Sequence, residues 1–235
     1  MIRLERHEEV FVLQMDNGEN RFNCESVRAM SSFLDEVEAV KGPAALVTTG
    51  SGKFYSNGFD LVEMMADDGA NLDPLLGGAL RVLARILTFP APTVAAINGH
   101  AFGAGAQFGV AHDFQVMRSD RGYWCMPEVD MPAPLHPGMV ALLQARIPTR
   151  TVAELITTGR RYGGPEALEA GIVDEVANET QVLERAIQIA APLAAKADPV
   201  MCTLKTSLYG PALSALALPP SATTGVDPSR PIQPR

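Results

Sequence analysis

Apolar positions along the chain fall into two patterns: short unbroken runs, and longer stretches with apolar residues every three or four positions. Val10-Phe11-Val12-Leu13-Gln14-Met15 predicts a strand, turned by Asp16-Asn17-Gly18. Over residues 25–40, Val27, Met30, Phe33, Leu34 and Val37 recur at helical spacing, and Gly42-Pro43 stops the helix. The run 44–49 predicts a buried strand, so the first three elements form a βαβ unit. Residues 50–61 are a loop at the end of that strand, where α/β sheets place ligands. Residues 64–76 have mixed polarity and are expected to be a mobile loop or a broken helix. Leu80, Leu83, Ala84 and Leu87 mark a helix ending before Pro90 and Pro92. Thr93-Val94-Ala95-Ala96-Ile97 predicts a strand, followed by a glycine turn and a helix starting near Gly103.

Further strands are predicted at 113–117, 123–126 and 172–176, with a proline-rich loop over 127–137. Helices are predicted at 139–147, 151–158, 179–196 and 200–209. A short helix over 165–171 has Pro165 in its first turn and Gly171 as its stop. From Pro219 onward Pro, Ser, Thr and Gly dominate, and residues 219–235 are expected to be a disordered tail. No internal repeat is visible.

At 235 residues, 47% hydrophobic and 20% charged, the composition is that of a soluble globular protein. A net charge of -8 argues against sequence-independent nucleic-acid binding, which needs a basic face. Cys24, Cys125 and Cys202 are far apart and include no C-x-x-C pair, so neither a zinc site nor a disulfide framework is expected. The first ten residues, MIRLERHEEV, lack the apolar centre of a secretory signal, and no apolar run reaches membrane-span length. The final Gln233-Pro234-Arg235 is not a Ser-Lys-Leu address. A cytoplasmic location and no membrane insertion are the expectations.

Asn98-Gly99-His100-Ala101-Phe102-Gly103-Ala104-Gly105-Ala106-Gln107 joins the strand at 93–97 to a helix start almost free of side chains. Helix-initial N–H groups lack partners and suit a site where negative charge develops. Close packing of another element on these small residues explains them equally well. A dinucleotide fingerprint does not fit: after Gly103 and Gly105, Phe108 stands where the third glycine belongs.

The chain resembles the crotonase superfamily, the enoyl-CoA hydratases and isomerases. Five patches carry the likeness: residues 17–23; residues 53–61 with Asn57-Gly58-Phe59-Asp60; FPAPTVAAINGHAFGAG over 89–105; WCMPEV over 124–129; and GRRYGGPEALEAGIVDE over 159–175. The resemblance implies an α/β fold with a spiral of ββα units and a C-terminal helical region. The expected division is a spiral core over 1–195, a helical segment over 196–218 and the tail. It also implies an acyl-CoA thioester substrate, with CoA as part of that substrate, no separate cofactor and no metal. A homotrimer or hexamer is implied as well.

The family's shared chemistry stabilises a thioester enolate with two backbone N–H groups, which the resemblance assigns to Asn57 and Ala104. Gly58 and Gly105 then shape the substrate pocket beside them. Glu128 occupies the position where many crotonases hold a catalytic glutamate, and Met126, Val129 and Met131 are expected to give it an apolar setting. Hydratases of the family carry a second glutamate where this chain has Gln107, and an amide cannot take a proton at neutral pH. One base suffices for moving one proton within a substrate, so the expected activity is Δ3,Δ2-enoyl-CoA isomerisation in fatty-acid β-oxidation. Rival readings are a hydratase or other enolate reaction, a noncatalytic acyl-CoA binding protein and, weakest, a dehydrogenase. Asp60 is expected to fix the Asn57–Gly58 loop. His136 is expected at the surface, and neither His100 nor His112 has the company of a metal site. No Ser, His and Asp set accompanies the oxyanion stretch, which weakens a peptidase reading.

Overall fold

The unbroken apolar runs become strands covered on both faces, the arrangement parallel sheets require. A computed structural model describes residues 1–66, 69–131 and 133–223. Among them are nine strands: β1 (Ile2–His7), β2 (Val10–Met15), β3 (Ala45–Gly50), β4 (Phe54–Ser56), β5 (Thr93–Ile97), β6 (His100–Phe102), β7 (Phe114–Arg118), β8 (Trp124–Cys125) and β9 (Glu175–Ala177). Six of them form one sheet in the order β1-β2-β3-β5-β7-β9, and the other three form a second sheet, β4-β6-β8. All pairings are parallel except β1 with β2. The pairs β3/β4, β5/β6 and β7/β8 each give one strand to each sheet, so the chain winds as a spiral of ββα turns, the expected fold class.

Side-chain alternation sorts the large sheet into two layers. Val10, Val12, Ala45, Val47, Val94, Ala96 and Val116 face helix α8 (Val182–Ala190), which buries Val182, Ala186 and Ala190 against them. Phe11, Leu13, Leu46, Ala95, Ile97 and Met117 face the spiral interior. There they meet α1 (Cys24–Glu38), α3 (Leu72–Leu87) and α4 (Ala104–Val110). Asn23 caps α1 by accepting from Ser26 N–H, while the Ser26 hydroxyl accepts from Asn23 N–H.

Several boundaries differ from the sequence reading. β1 was not expected, because Arg3, Glu5 and Arg6 hide a two-residue alternation along this edge strand. Part of 64–76 is helical: α2 (Leu61–Met65) ends there and α3 begins at Leu72, while residues 67–68 lie outside the described residues. The long helix expected over 179–196 is shorter, and a 3-10 segment, Ala191–Lys196, follows it at Pro192. The expected strand at 172–176 pairs only over Glu175–Ala177.

The C-terminal helical region expected over 196–218 holds two helices, α9 (Pro199–Leu208) and α10 (Gly210–Leu216), where apolar spacing had marked one over 200–209. Helix α5 (Pro137–Arg146) packs so tightly on α10 that a Cβ at Gly138 would lie 2.5 Å from Leu216 Cα. The expected tail starts too early. Residues 219–223 dock on the body through a 3-10 turn, Pro220–Ala222, with Pro220 against Gly77 of α3. The remainder, 224–235, lies outside the described residues. No helix among the described residues is long and apolar enough to cross a membrane.

Candidate active site

The three parallel strands of the small sheet end on the same side, so their carboxyl ends bring three loops together. β4 leads into Asn57-Gly58-Phe59-Asp60, β6 into Gly103 and α4, and β8 into Met126-Pro127-Glu128. Gly103 is the residue before α4, at φ 50° and ψ -120°, backbone that side chains other than hydrogen disfavour. A Cβ there would also lie 3.2 Å from Glu128 Oε1, so the carboxylate stands directly over the first turn of α4.

Glu128 is held by its backbone. Its carbonyl accepts from the N–H groups of Met131 at 3.3 Å and Ala133 at 3.1 Å, and Asp130 N–H closes on the Pro127 carbonyl at 2.9 Å. Its Oε2 is sealed from solvent and has no hydrogen-bond partner among the described residues. Burial raises the carboxyl from its ordinary value of 4.5 to about 7, against a smaller opposing effect of a backbone hydrogen bond. The apolar setting differs from the one expected. Met126 is buried, but Met131 is half-buried and Val129 is exposed. Beside Ala104, and apart from Glu128, a narrow apolar cleft is lined by Phe22, Met30, Val82, Leu83 and Phe108.

The structure corrects the assignment of the first amide donor. Asn57 N–H is occupied, donating to the Glu19 carbonyl at 2.9 Å, and the Asn57 side chain donates to Glu19 Oε2. Gly58 N–H turns back to Ser56 Oγ at 3.2 Å. Phe59 bridges to Phe22 in parallel: Phe22 N–H donates to the Gly58 carbonyl, and Asp60 N–H donates to the Phe22 carbonyl, both at 2.8 Å. Successive amides of an extended segment point to opposite sides. Phe59 N–H therefore faces away from Phe22, toward β6 and α4. Gly58 keeps that side close: a Cβ there would lie 2.9 Å from the Phe102 carbonyl and 3.4 Å from Ala104 N. Neither Phe59 N–H nor Ala104 N–H meets an acceptor among the described residues. The open pair is thus Phe59 and Ala104, on neighbouring strand ends.

Gly105 has a steric role that the sequence left open. A Cβ on it would lie 2.4 Å from the Ser56 carbonyl, so β4 and α4 touch backbone to backbone. Gln107 follows Ala104 by three positions, on the same face of α4. It is fully buried; its Nε2 lies 4.0 Å from Met126 Sδ, and its Oε1 has no partner. Buried polar atoms are nearly always hydrogen-bonded, so Glu128 Oε2 and Gln107 Oε1 are two exceptions on groups that converge on one helix turn.

The remaining polar residues have structural duties. Asp60 caps α2, accepting from Val62 and Glu63 N–H groups at 3.1 and 3.2 Å, rather than holding the Asn57–Gly58 loop. His136 is buried rather than at the surface. Its Nδ1 accepts from Gly138 N–H at the start of α5, and its Nε2–H donates to the Pro219 carbonyl. His100 stacks with Phe54, Phe102 and Tyr123, on the small-sheet face away from the core.

The Enoyl-CoA hydratase/isomerase family profile matches residues 5–219. The chain belongs to this family. Enoyl-CoA delta isomerase 3 of Arabidopsis thaliana is 36% identical over 220 residues, 89% of this chain and 92% of that one. Family membership makes the protein an enzyme of the enoyl-CoA isomerase and hydratase kind. Two solved family structures share the fold. A probable enoyl-CoA hydratase from Mycobacterium tuberculosis superposes with a TM-score of 0.87 at 24% identity, covering 94% of this chain and 93% of that one. Human mitochondrial delta3-delta2-enoyl-CoA isomerase superposes with a TM-score of 0.83 at 23% identity, covering 92% and 85%.

Proposed function

We propose that the protein is a Δ3,Δ2-enoyl-CoA isomerase with Glu128 as its single base. One observation carries the reading: a partnerless buried carboxylate oxygen stands over a helix turn that also presents an open amide, while the nearby side chain that would complete a hydratase pair is Gln107. In this mechanism Glu128 takes a proton from C2 of a 3-enoyl-CoA. The C2–H electrons form the C2=C3 bond of the product by way of a dienolate, whose oxygen is held by Phe59 and Ala104 N–H groups. Protonated Glu128 then delivers the proton to C4. The acyl chain is assigned to the apolar side of Ala104, where the narrow cleft along Phe22, Met30, Leu83 and Phe108 has to widen to admit it. CoA comes as part of the substrate, and no further cofactor enters the reaction. Fatty-acid β-oxidation, a cytoplasmic setting and a homotrimeric or hexameric assembly complete the proposal.

The test is a side-by-side assay of 3-hexenoyl-CoA and crotonyl-CoA. Isomerisation of the first should exceed hydration of the second at least tenfold, because moving one proton needs one base. Hydration as fast as isomerisation would overturn the reading, and no turnover of either would leave a binding protein. The base must be ionised, so kcat/KM should rise about tenfold per pH unit below pH 7 and level off above it, following the raised Glu128 carboxyl. A profile already flat at pH 5 would point to a different base.

Gln107→Glu should add a second carboxylate within a fold that tolerates its size. The two carboxylates would repel and share a proton, supplying an acid and a base together. Measurable hydration of crotonyl-CoA is expected in this variant, with isomerisation reduced. A folded variant with no hydration would show that Gln107 alone does not separate the two activities.

A further inference from the structure

Helix α4 carries one of the open amides at its first residue, yet it is only seven residues long. Its other end is tied to the large sheet by side chains that the proposed chemistry does not use. His112 Nδ1 lies 2.8 Å from the Phe108 carbonyl. Its Nε2 lies 3.0 Å from Thr48 Oγ1, which in turn lies 2.7 Å from the Tyr55 hydroxyl. All three side chains are fully buried. Burial lowers the His112 pKa to about 4, so the ring is neutral at physiological pH.

One proton arrangement satisfies the chain. A carbonyl can only accept, so His112 Nδ1 carries the ring proton and Nε2 is bare. Thr48 must then donate to Nε2. Its single proton is thereby used, so Tyr55 donates to Thr48. The hydrogen bonds run one way, from Tyr55 to Thr48 to His112 to the Phe108 carbonyl.

Three elements are joined by this chain. Thr48 belongs to β3 of the large sheet, Tyr55 to β4, and the Phe108 carbonyl to α4. β4 leads within four residues to Phe59, and α4 begins at Ala104. The Phe108 ring repeats the connection in apolar form. It stacks on Tyr55 at 6.1 Å and meets Phe22 edge-on at 5.6 Å, and Phe22 is the residue whose backbone bridges to Phe59. We propose that Tyr55, Thr48 and His112 are positioning residues that fix the Phe59 and Ala104 amides relative to each other. This rests on the enolate reading above, since it matters to rate only if both amides hold one oxygen.

The decisive substitution is Thr48→Val, which keeps shape and removes the central hydroxyl; Thr48→Ser keeps the link. In Thr48→Val, kcat for 3-hexenoyl-CoA should fall roughly ten- to a hundredfold, since small displacements of aligned groups are costly, while KM stays within about twofold. The vibrational spectrum of bound crotonyl-CoA gives the second readout. The parent should lower the thioester carbonyl stretch through its two amides, Thr48→Val should lower it less, and Thr48→Ser should match the parent. Parent-like kcat in Thr48→Val would overturn the proposal. So would a loss of kcat with an unshifted carbonyl stretch, because that is what mere destabilisation produces. If Thr48→Val does not fold, Tyr55→Phe takes the same two readouts and decides in the same way. A parent that neither isomerises nor shifts the carbonyl stretch would instead defeat the enolate reading itself.

Discussion

Glu128→Gln should fold and lose isomerisation by about 10²–10⁴-fold, the range that positioned acid–base groups contribute. The variant removes one ionisable proton site and almost no volume. Its stability offers an internal control with a definite sign. The native carboxyl is raised from 4.5 to about 7, so the ionised form is disfavoured in the folded state. The fold is therefore favoured by this group below pH 4.5, and that advantage is lost as pH rises through 7. Glutamine is neutral throughout, so the variant should equal the parent near pH 4 and exceed it at pH 8. A shift from 4.5 to about 7 corresponds to about 3 kcal/mol, an upper figure for a side chain that is partly exposed. Thermal melts at the two pH values, run beside the activity assay, check both halves. Activity within twofold of the parent would remove Glu128 from the chemistry.

Ala104→Pro should cost about 10²–10³ in kcat, the usual effect of deleting one oxyanion donor. Proline is well tolerated at the first residue of a helix, where its missing N–H breaks no intrahelical bond. Ala104 is that residue in α4, and its N–H has no acceptor among the described residues. The preceding residue is restricted by proline, but Gly103 has no Cβ to clash. The variant should therefore keep its circular dichroism spectrum and its affinity for CoA esters. Turnover of 3-hexenoyl-CoA within threefold of the parent would show that the Ala104 amide does not hold the substrate oxygen. Weakened binding of CoA esters would show instead that the proline ring obstructs the site.

Most of the large sheet was legible in the sequence, because its strands are unbroken apolar runs such as Val10 to Met15 and Thr93 to Ile97. The small sheet was less so. Phe54–Ser56 and His100–Phe102 are three residues each, too short for a period to register, and both sit between glycines that read as loop. The same difficulty explains the displaced donor. Motif position brought attention to Asn57 and Gly58, but which amide is open depends on the direction each peptide faces. That direction is set by the bridge to Phe22, nearly forty residues earlier in the chain, and no local pattern reports it. Ala104 and Glu128 were assigned by the resemblance, through NGHAFGAG and WCMPEV, and each of these motifs runs from a short strand into the loop or helix start beyond it. His136 was misjudged because its partner, the Pro219 carbonyl, is contributed by residues expected to be unstructured.

The winding of the chain gives each proposed active group its own address. Phe59, Ala104 and Glu128 come from three successive turns, each anchored by one strand of β4-β6-β8, and each is followed by a connection that leads away from the shared sheet. Change in one connection need not propagate to the other two. On the proposed reading, the segment after Phe59 can be exchanged to reshape the acyl side while the amides stay on their strands, and the turn around Glu128 can be rebuilt with a different acid or base. Such a scaffold lends itself to diversification by parts: substrate range and reaction type can be altered separately, by evolution or in the laboratory, without redesigning the pair of open amides proposed to serve both.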